Sequence, residues 1–266
     1  MAKTYLHLVR HAQGFHNLNA ANHSLPDPDL TPLGEKQCET LSQIFPYHSK
    51  ITHLIASPLR RTLYTALLSF PAAVKAGHKL LAVPELQETS DLPCDTGSSP
   101  AALKAEFEGN PKWNVDLSRV QEGWNVKTGK YAPTASAISS RALEARLFLR
   151  SLASQSSQAA SGEDVHIVVV THGGYLHYFT EDWDGESKFC GTGWANTEFR
   201  SYEFSGGEED ENAGLRELEE SRERRKAIPL TGDEKRELNS VAEGELGGIG
   251  NQVNGNGNAE GEKTKL

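Results

Sequence analysis

Val165-His166-Ile167-Val168-Val169-Val170-Thr171-His172-Gly173-Gly174 is the stretch that decides the fold. Its first six residues are almost continuously β-branched and show no polar alternation, which reads as a central parallel strand covered on both faces. The strand runs straight into a histidine and two glycines, a place where chemistry can sit. Working outward from it, strands and helices alternate along the chain. Tyr5 to Val9 reads as a short buried strand ending at Arg10-His11. Thr31-Pro32 supplies a cap and first residue for a helix with Leu33, Gln37, Leu41 and Ile44 at helical spacing, stopped by Pro46. Ile51 to Ala56 is a second strand, with Ser57-Pro58 opening a helix to about Phe70, and Lys79 to Val83 is a third.

Glu85 to Gly97 has the composition of a loop, and a short helix is expected around Ala101 to Phe107. The remainder as far as Tyr131 reads as irregular, an insertion or lid. Ser139 to Leu152 is an amphipathic helix, Ser154 to Gly162 a polar linker, and Asn196 to Phe204 a last, edge-like strand with Trp183, Trp194 and Tyr202 packed around it. The order implies an α/β domain of three α/β/α layers around a mostly parallel sheet over residues 1–205. Ligands on such sheets bind at the carboxyl ends of strands, where strand order reverses. Arg10-His11, Ser57 and His172 all fall at such ends.

Beyond Gly206 the texture changes to an acidic, then Gly/Asn-rich sequence, and the hydrophobic fraction of the whole chain, 37%, is low for this reason. Residues 206–266 therefore read as a disordered acidic low-complexity tail, a segment able to bind a protein partner, with one transient helix. The net charge of −9 resides mostly there, so the body is compatible with an anionic substrate, and no basic stripe for nucleic acid appears. Three cysteines without CxxC spacing suggest neither a disulfide framework nor a thiol-rich metal site. No signal peptide and no membrane-length apolar run are read, so the cytosol is the expected compartment, with the nucleus open.

Three motifs carry the chemistry: Leu8-Val9-Arg10-His11-Ala12-Gln13-Gly14 with Asn17, Ser57-Pro58-Leu59-Arg60-Arg61-Thr62, and Val170-Thr171-His172-Gly173-Gly174. Each alone reads as a strand end or a capped helix. Together and in this order they resemble the histidine phosphatase superfamily, the phosphoglycerate mutase-like fold, over about residues 4–204. Leu30-Thr31-Pro32-Leu33-Gly34 and Leu86-Gln87-Glu88 add to the match. The resemblance implies that His11 is the nucleophile, that Arg10, Arg61 and His172 surround the transferred phosphoryl group, and that Glu88 is the acid/base. It places Asn17 in the phosphate pocket, with Gln13, Gly14 and Gly173 as loop contacts, and leaves Arg60 outside. Ala12 replaces the usual glycine, which a negative φ tolerates. The Arg-His-Ala-Gln-Gly-x-His-Asn form is similar to a fungal and plant branch.

The chemistry asks for these residue types on its own account. A neutral imidazole nitrogen can take a phosphoryl group as a labile phosphoramidate, provided its other nitrogen donates to a fixed acceptor. Guanidinium forks suit phosphate oxygens, a protonated His172 would add a charge-assisted contact, and one carboxyl group must give and take a proton. Glu85, Asp91 and Asp95 lie in the same loop as Glu88 and are alternatives to it.

No metal and no cofactor is called for: His11 with His16, and His172 with His177, are spaced i,i+5, unlike helical ligand pairs. The substrate expected is a small phosphorylated molecule. A mutase-type phosphotransferase is the nearest alternative, but between Glu88 and His172 the chain offers scattered Lys104, Lys112, Arg119, Lys127 and Lys130 without the adjacent arginines that the resemblance to mutases would require after the glutamate. A catalytically inactive interaction protein is the other alternative, suggested by the tail.

Overall fold

The computed structural model describes residues 2–108, 110, 112–182 and 193–225. In chain order the elements are β1 (Thr4–Arg10), α1 (Pro32–Ile44), β2 (Ile51–Ala56), α2 (Arg60–Ser69), α3 (Pro71–Lys75), β3 (Leu80–Ala82), α4 (Pro100–Phe107) and β4 (Val115–Asp116). There follow α5 (Ala135–Ser154), α6 (Ser157–Ser161), β5 (Val165–Thr171), α7 (Gly173–Thr180), β6 (Phe199–Phe204), β7 (Leu215–Glu217) and α8 (Glu219–Arg225).

One seven-stranded sheet has the order β4-β3-β2-β5-β1-β6-β7. The strands from β4 to β1 pair in parallel, while β6 and β7 add on antiparallel. Side chains of the central strands alternate between two cores. Val9, Leu54, Ala56, Val168 and Val170 face Leu41, Leu63 and Phe70, from α1, α2 and the residue after α2. Leu6, Leu8, Ile55, Val165, Ile167 and Val169 face Ala142, Leu149, Leu176 and Phe179 of α5 and α7. Every residue of β5 is buried, because helices cover both faces. The expected α/β/α layering with a mostly parallel sheet is what the chain forms.

The topology fixes the site. The chain moves outward from β2 through β3 to β4 on one side, then returns to insert β5 between β2 and β1 before leaving through β6 on the other. The reversal therefore falls at β5 and β1, whose register pairs Val9 with Val170 and Arg10 with Thr171. The residues that follow these two strand ends, His11 and His172, become neighbours as a result.

Several local expectations need correction. Thr31 does cap α1, accepting from Gly34 N at 3.0 Å with Pro32 at the first position, a contact worth about 1 kcal/mol. Leu33 and Ile44, however, face solvent, and the helix buries Cys38 and Leu41. Ser57 is not the cap of α2, which starts at Arg60 with Leu59 preceding it, because the Ser57 hydroxyl turns toward His172. In the 100–131 segment the expected short helix forms as α4, while beyond it the chain is more regular than expected: β4 extends the sheet, and Trp124 is buried. The helix α7, which was not read from the sequence, begins at Gly173, immediately after His172.

The domain limit at residue 205 is also too early. Leu215–Glu217 pairs with β6, and α8 docks on it: Ser221 Oγ accepts from Ser201 N at 2.9 Å, Arg225 pairs with Glu217 at 3.2 Å, and the Arg224 guanidinium lies 4.0 Å from the Phe199 ring. An open sheet edge demands hydrogen-bond partners whatever the composition of the segment that supplies them. The rest of the proposed tail, and Trp183, lie outside the described residues. No helix among the described residues is long and apolar enough to cross a membrane.

Candidate active site

His11 and His172 are both buried, with ring centroids 5.2 Å apart at an interplanar angle of 61°. From β2, the neighbour of β5, the chain passes Ser57 and delivers Arg61 in the first turn of α2. Arg61 donates from Nε to His11 Nε2 at 3.3 Å and from Nη2 to His172 Nδ1 at 3.1 Å. It also donates to Cys94 O at 2.6 Å and Asp95 Oδ1 at 2.8 Å. A planar fork held on several sides cannot swing away, so its charge is aimed before any reaction.

The tautomers follow from these partners. His11 Nδ1 lies 2.7 Å from the Ala12 carbonyl, which only accepts, so the proton is on Nδ1 and Nε2 carries the lone pair. His172 receives Arg61 at Nδ1 and therefore carries its proton on Nε2, 2.8 Å from Ser57 Oγ. A protonated His172 would set donor against donor at Nδ1, so in this arrangement it is neutral, unlike the charge-assisted role expected for it. Burial first, then the Arg61 and Arg10 charges, holds His11 well below the ordinary histidine range, opposed by the Ala12 carbonyl. Burial, Arg61 and His11 do the same for His172.

Arg10 closes β1, is buried, and donates from Nη1 to Trp194 O at 2.5 Å. Glu88 stands at the amino end of α7, where Oε1 accepts from Tyr175 N at 3.0 Å and from Thr89 N at 2.9 Å. Gly174 permits this approach, since a Cβ there would stand 2.8 Å from Glu88 Oε1. Gly173 is the first, buried residue of the same helix. Burial and the Asp95 charge raise the Glu88 pKa, with Arg61, the Thr89 N–H and Arg141 opposing. The neighbouring carboxylates are otherwise engaged or exposed: Glu85 with Lys130 at 2.6 Å, Asp95 with Arg61, and Asp91 at the surface. Arg60 pairs with Asp29 and Glu106, outside the site as expected.

The loop residues divide. Gln13 ties the loop to α1: its Oε1 accepts from Thr31 Oγ1 at 2.8 Å and its backbone N–H donates to Gln37 Oε1 at 2.8 Å. Gly14 N donates to Asn17 Oδ1 at 2.8 Å, and Asn17 Nδ2 lies 2.9 Å from His16 Nε2. Ala12 is absent from the positive-φ residues, and its methyl packs with Leu30 and Cys38.

Asp95, named from sequence only as an alternative acid/base, aims Arg61, and Ser57, placed only at a strand end, holds His172. Asn196 Nδ2 donates to His11 O at 2.9 Å. Arg141, read as one of several arginines on an amphipathic helix, is buried and clamps the carbonyls of Glu85, Gln87 and Glu88. Lys127 reaches Gln87 Oε1 at 2.7 Å, and burial brings its ammonium down to about 8, partly opposed by Asp95. His16 is buried with its ring centroid 5.4 Å from that of His11, and its Nδ1 has no partner among the described residues. A buried unpaired N–H costs roughly 1–3 kcal/mol. No sequence signal separated these side chains from ordinary core or surface residues. Among the described residues, no three His, Cys, Asp or Glu side chains are grouped to hold a metal.

Residues 6–212 match the family model for the histidine phosphatase superfamily (branch 1). Phosphoglycerate mutase-like protein 1 of Arabidopsis thaliana is 42% identical over 72 residues, 23% of this chain and 26% of that protein. The chain thus matches about a quarter of that relative's length. A Hydrogenobacter thermophilus protein named provisionally as phosphoserine phosphatase 2 is 29% identical over 175 residues, 65% of this chain and 74% of its own. Among solved structures, the ecdysone phosphate phosphatase of Bombix mori, in complex with tungstate, aligns with a TM-score of 0.52 at 15% identity, covering 81% of this chain and 92% of that one. At that identity the likeness is one of fold.

Proposed function

The chain belongs to the histidine phosphatase superfamily, and from that premise we propose that it hydrolyses a small phosphate monoester through a phosphohistidine on His11, without a metal ion. One observation carries this reading: a single buried guanidinium, Arg61, donates to His11 Nε2 and His172 Nδ1 at 3.3 and 3.1 Å while Ala12 holds the His11 proton on the opposite nitrogen. The lone pair of the nucleophile thus faces the group that would hold the phosphoryl oxygens.

In the first step His11 Nε2 attacks phosphorus in line, forming the N–P bond as the ester P–O bond breaks, and the leaving oxygen takes a proton from Glu88. In the second, water gives a proton to the Glu88 carboxylate and attacks phosphorus. The N–P bond breaks and its electron pair returns to Nε2. Arg10 and Arg61 hold the equatorial oxygens through both steps, joined by His172 once its Nε2–H turns from Ser57 Oγ to a phosphoryl oxygen. The raised pKa of Glu88 favours the protonated form that the first step uses, and the depressed basicity of His11 favours the free lone pair.

The eight cations between Glu88 and His172 are mostly engaged elsewhere, which supports hydrolysis over mutase chemistry, where extra charge must retain a bisphosphate. Arg141, Arg146 and Arg150 donate to backbone carbonyls. Arg119 and Lys130 pair with Glu85, Lys112 stacks on Trp113, and Lys104 is exposed. Lys127 and Arg141 are the two of the eight that reach the Gln87-Glu88 segment.

The test is hydrolysis of p-nitrophenyl phosphate with excess chelator, followed by acid and alkaline treatment of protein quenched during turnover. Acid-labile, alkali-stable phosphate on the wild-type chain, absent from His11→Ala, is expected. Hydrolysis retained in His11→Ala, or lost to the chelator, would end this reading.

A further inference from the structure

His16 belongs to the same buried cluster, and the hydrogen bonds around it settle which of its nitrogens carries the proton. Gly14 N–H is a donor only, so the Asn17 atom it meets at 2.8 Å is Oδ1 and the other atom of that carboxamide is the NH₂. That NH₂ lies 2.9 Å from His16 Nε2, which must accept. The proton of His16 therefore sits on Nδ1, and a second proton on Nε2 would face the Asn17 donor. His16 is held neutral, with its one N–H at Nδ1, by a chain of contacts that starts at a backbone amide.

That N–H has no acceptor among the described residues, although His16 is only 6% exposed. Its ring is 5.4 Å from the His11 ring, tilted by 46°. Burial first, then Arg61, His11, Arg10 and His23, oppose protonation of His16, and the two guanidiniums make a field that draws anions and not cations. Gly14 keeps the approach clear: a Cβ there would stand 2.7 Å from Nδ1. A fixed, unpaired donor in the field of two guanidiniums, beside the nucleophile, is complementary to an oxyanion.

We propose that His16 Nδ1–H donates a hydrogen bond to an oxygen of the phosphoryl group transferred at His11, which makes His16 a substrate-contacting residue and Asn17 the positioning residue that fixes its tautomer. The proposal rests on the phosphatase reading above. Because the donor is neutral and locked, its contribution does not follow a histidine titration, unlike that of an imidazolium.

The experiment compares wild type, His16→Phe, His16→Asn and His11→Ala in kcat/KM for p-nitrophenyl phosphate and in inhibition by orthovanadate. His16→Phe keeps a ring in place and deletes the donor. It should weaken vanadate inhibition about tenfold and lower kcat/KM by about 10- to 100-fold, whereas His16→Asn, whose amide nitrogen falls near Nδ1, should recover most of both. Full-length wild type with ¹⁵N-labelled histidine provides a second reading: His16 should show the Nδ1–H tautomer, and its Nδ1 signal should move when inorganic phosphate is added. An Nε2–H tautomer, an unmoved signal, or His16→Phe within about twofold of wild type in both kinetic measures would overturn the proposal. Activity in His11→Ala would instead overturn the phosphatase reading, and its loss there with a wild-type-like His16→Phe would sink the His16 assignment alone. Should His16→Phe not fold, the NMR arms still decide.

Discussion

The two central strands each bring a histidine to both ends of the sheet, and the pairs behave differently. At the carboxyl ends, His11 and His172 do not touch each other through nitrogen but meet through Arg61. Nearer the amino ends, His7 Nε2 and His166 Nδ1 are 3.0 Å apart, their rings stacked at 13°. Ser201 takes the remaining His7 nitrogen at 2.9 Å and Tyr47 stacks on its ring at 4.6 Å. A cavity of about 470 Å³ opens there, with Lys3 and Lys50 outnumbered by Asp164, Glu203, Glu219 and Glu220.

Both pairs have depressed basicity from burial, His7 down to about 3. Burial and a shifted pKa therefore do not mark the reactive pair. What marks it is the set of groups gathered around it: buried guanidiniums from two elements, a fixed lone pair on His11, and a carboxyl group at a helix amino end. The other pair satisfies itself and is packing.

The largest effect should come from removing the nucleophile at one end only. His11→Ala is expected to lose at least about 10⁴-fold in kcat/KM, while His7→Phe stays within about twofold of wild type. Equal losses in a steady-state assay, with both proteins melting normally, would erase the contrast. Next, Arg61→Lys should cost about 10²- to 10³-fold, because an ammonium cannot span both imidazoles, Cys94 O and Asp95. Near-full activity in the Arg61→Lys enzyme would show that charge alone suffices.

Glu88→Gln should lower kcat about 10²-fold for an alkyl phosphate and less for p-nitrophenyl phosphate, whose leaving group needs no proton. Since the Glu88 pKa is raised, wild-type turnover should fall as pH rises through that raised value. A pH–rate profile of Glu88→Gln that keeps the same alkaline limb would assign the proton to another group.

The smallest effect belongs to the inert pair and appears in stability. His7 is neutral when folded, so between pH 6.5 and about 3 the unfolded chain binds more protons than the native one. Native stability is therefore complete above pH 6.5 and lost progressively as pH falls toward 3. Denaturant midpoints at about pH 7 and about pH 4.5 should lie closer together in His7→Phe than in wild type, the remaining slope coming from the other buried histidines, and an unchanged pH slope would remove His7 from the acid response.

Much of this was legible along the chain. The uniform burial of β5 follows from its unbroken β-branched run, the cap of α1 from Thr31-Pro32, and the adjacency of His11 to His172 from two strand ends in a parallel sheet. Those readings use information within a few residues, where side-chain type acts directly on backbone preference. The misread pieces have partners far away. Ser57 was read as a cap because only its neighbours were visible, whereas its hydroxyl meets a ring 115 positions later. The acidic stretch after Gly206 looked unable to order itself, and it does not do so alone: β7 and α8 borrow an open sheet edge from β6.

Residue identity thus determined which chemistry this chain carries: imidazoles, guanidiniums and a carboxyl group at the ends of buried strands. Tertiary structure decided which nitrogen of each ring holds a proton, which carboxylate is left to react once Asp95 and Glu85 are paired, and that His16 joins the cluster. The reason is physical. A tautomer or a charge state is set by the one or two polar atoms within about 3 Å, and in this fold those atoms come mostly from other strands, helices and loops.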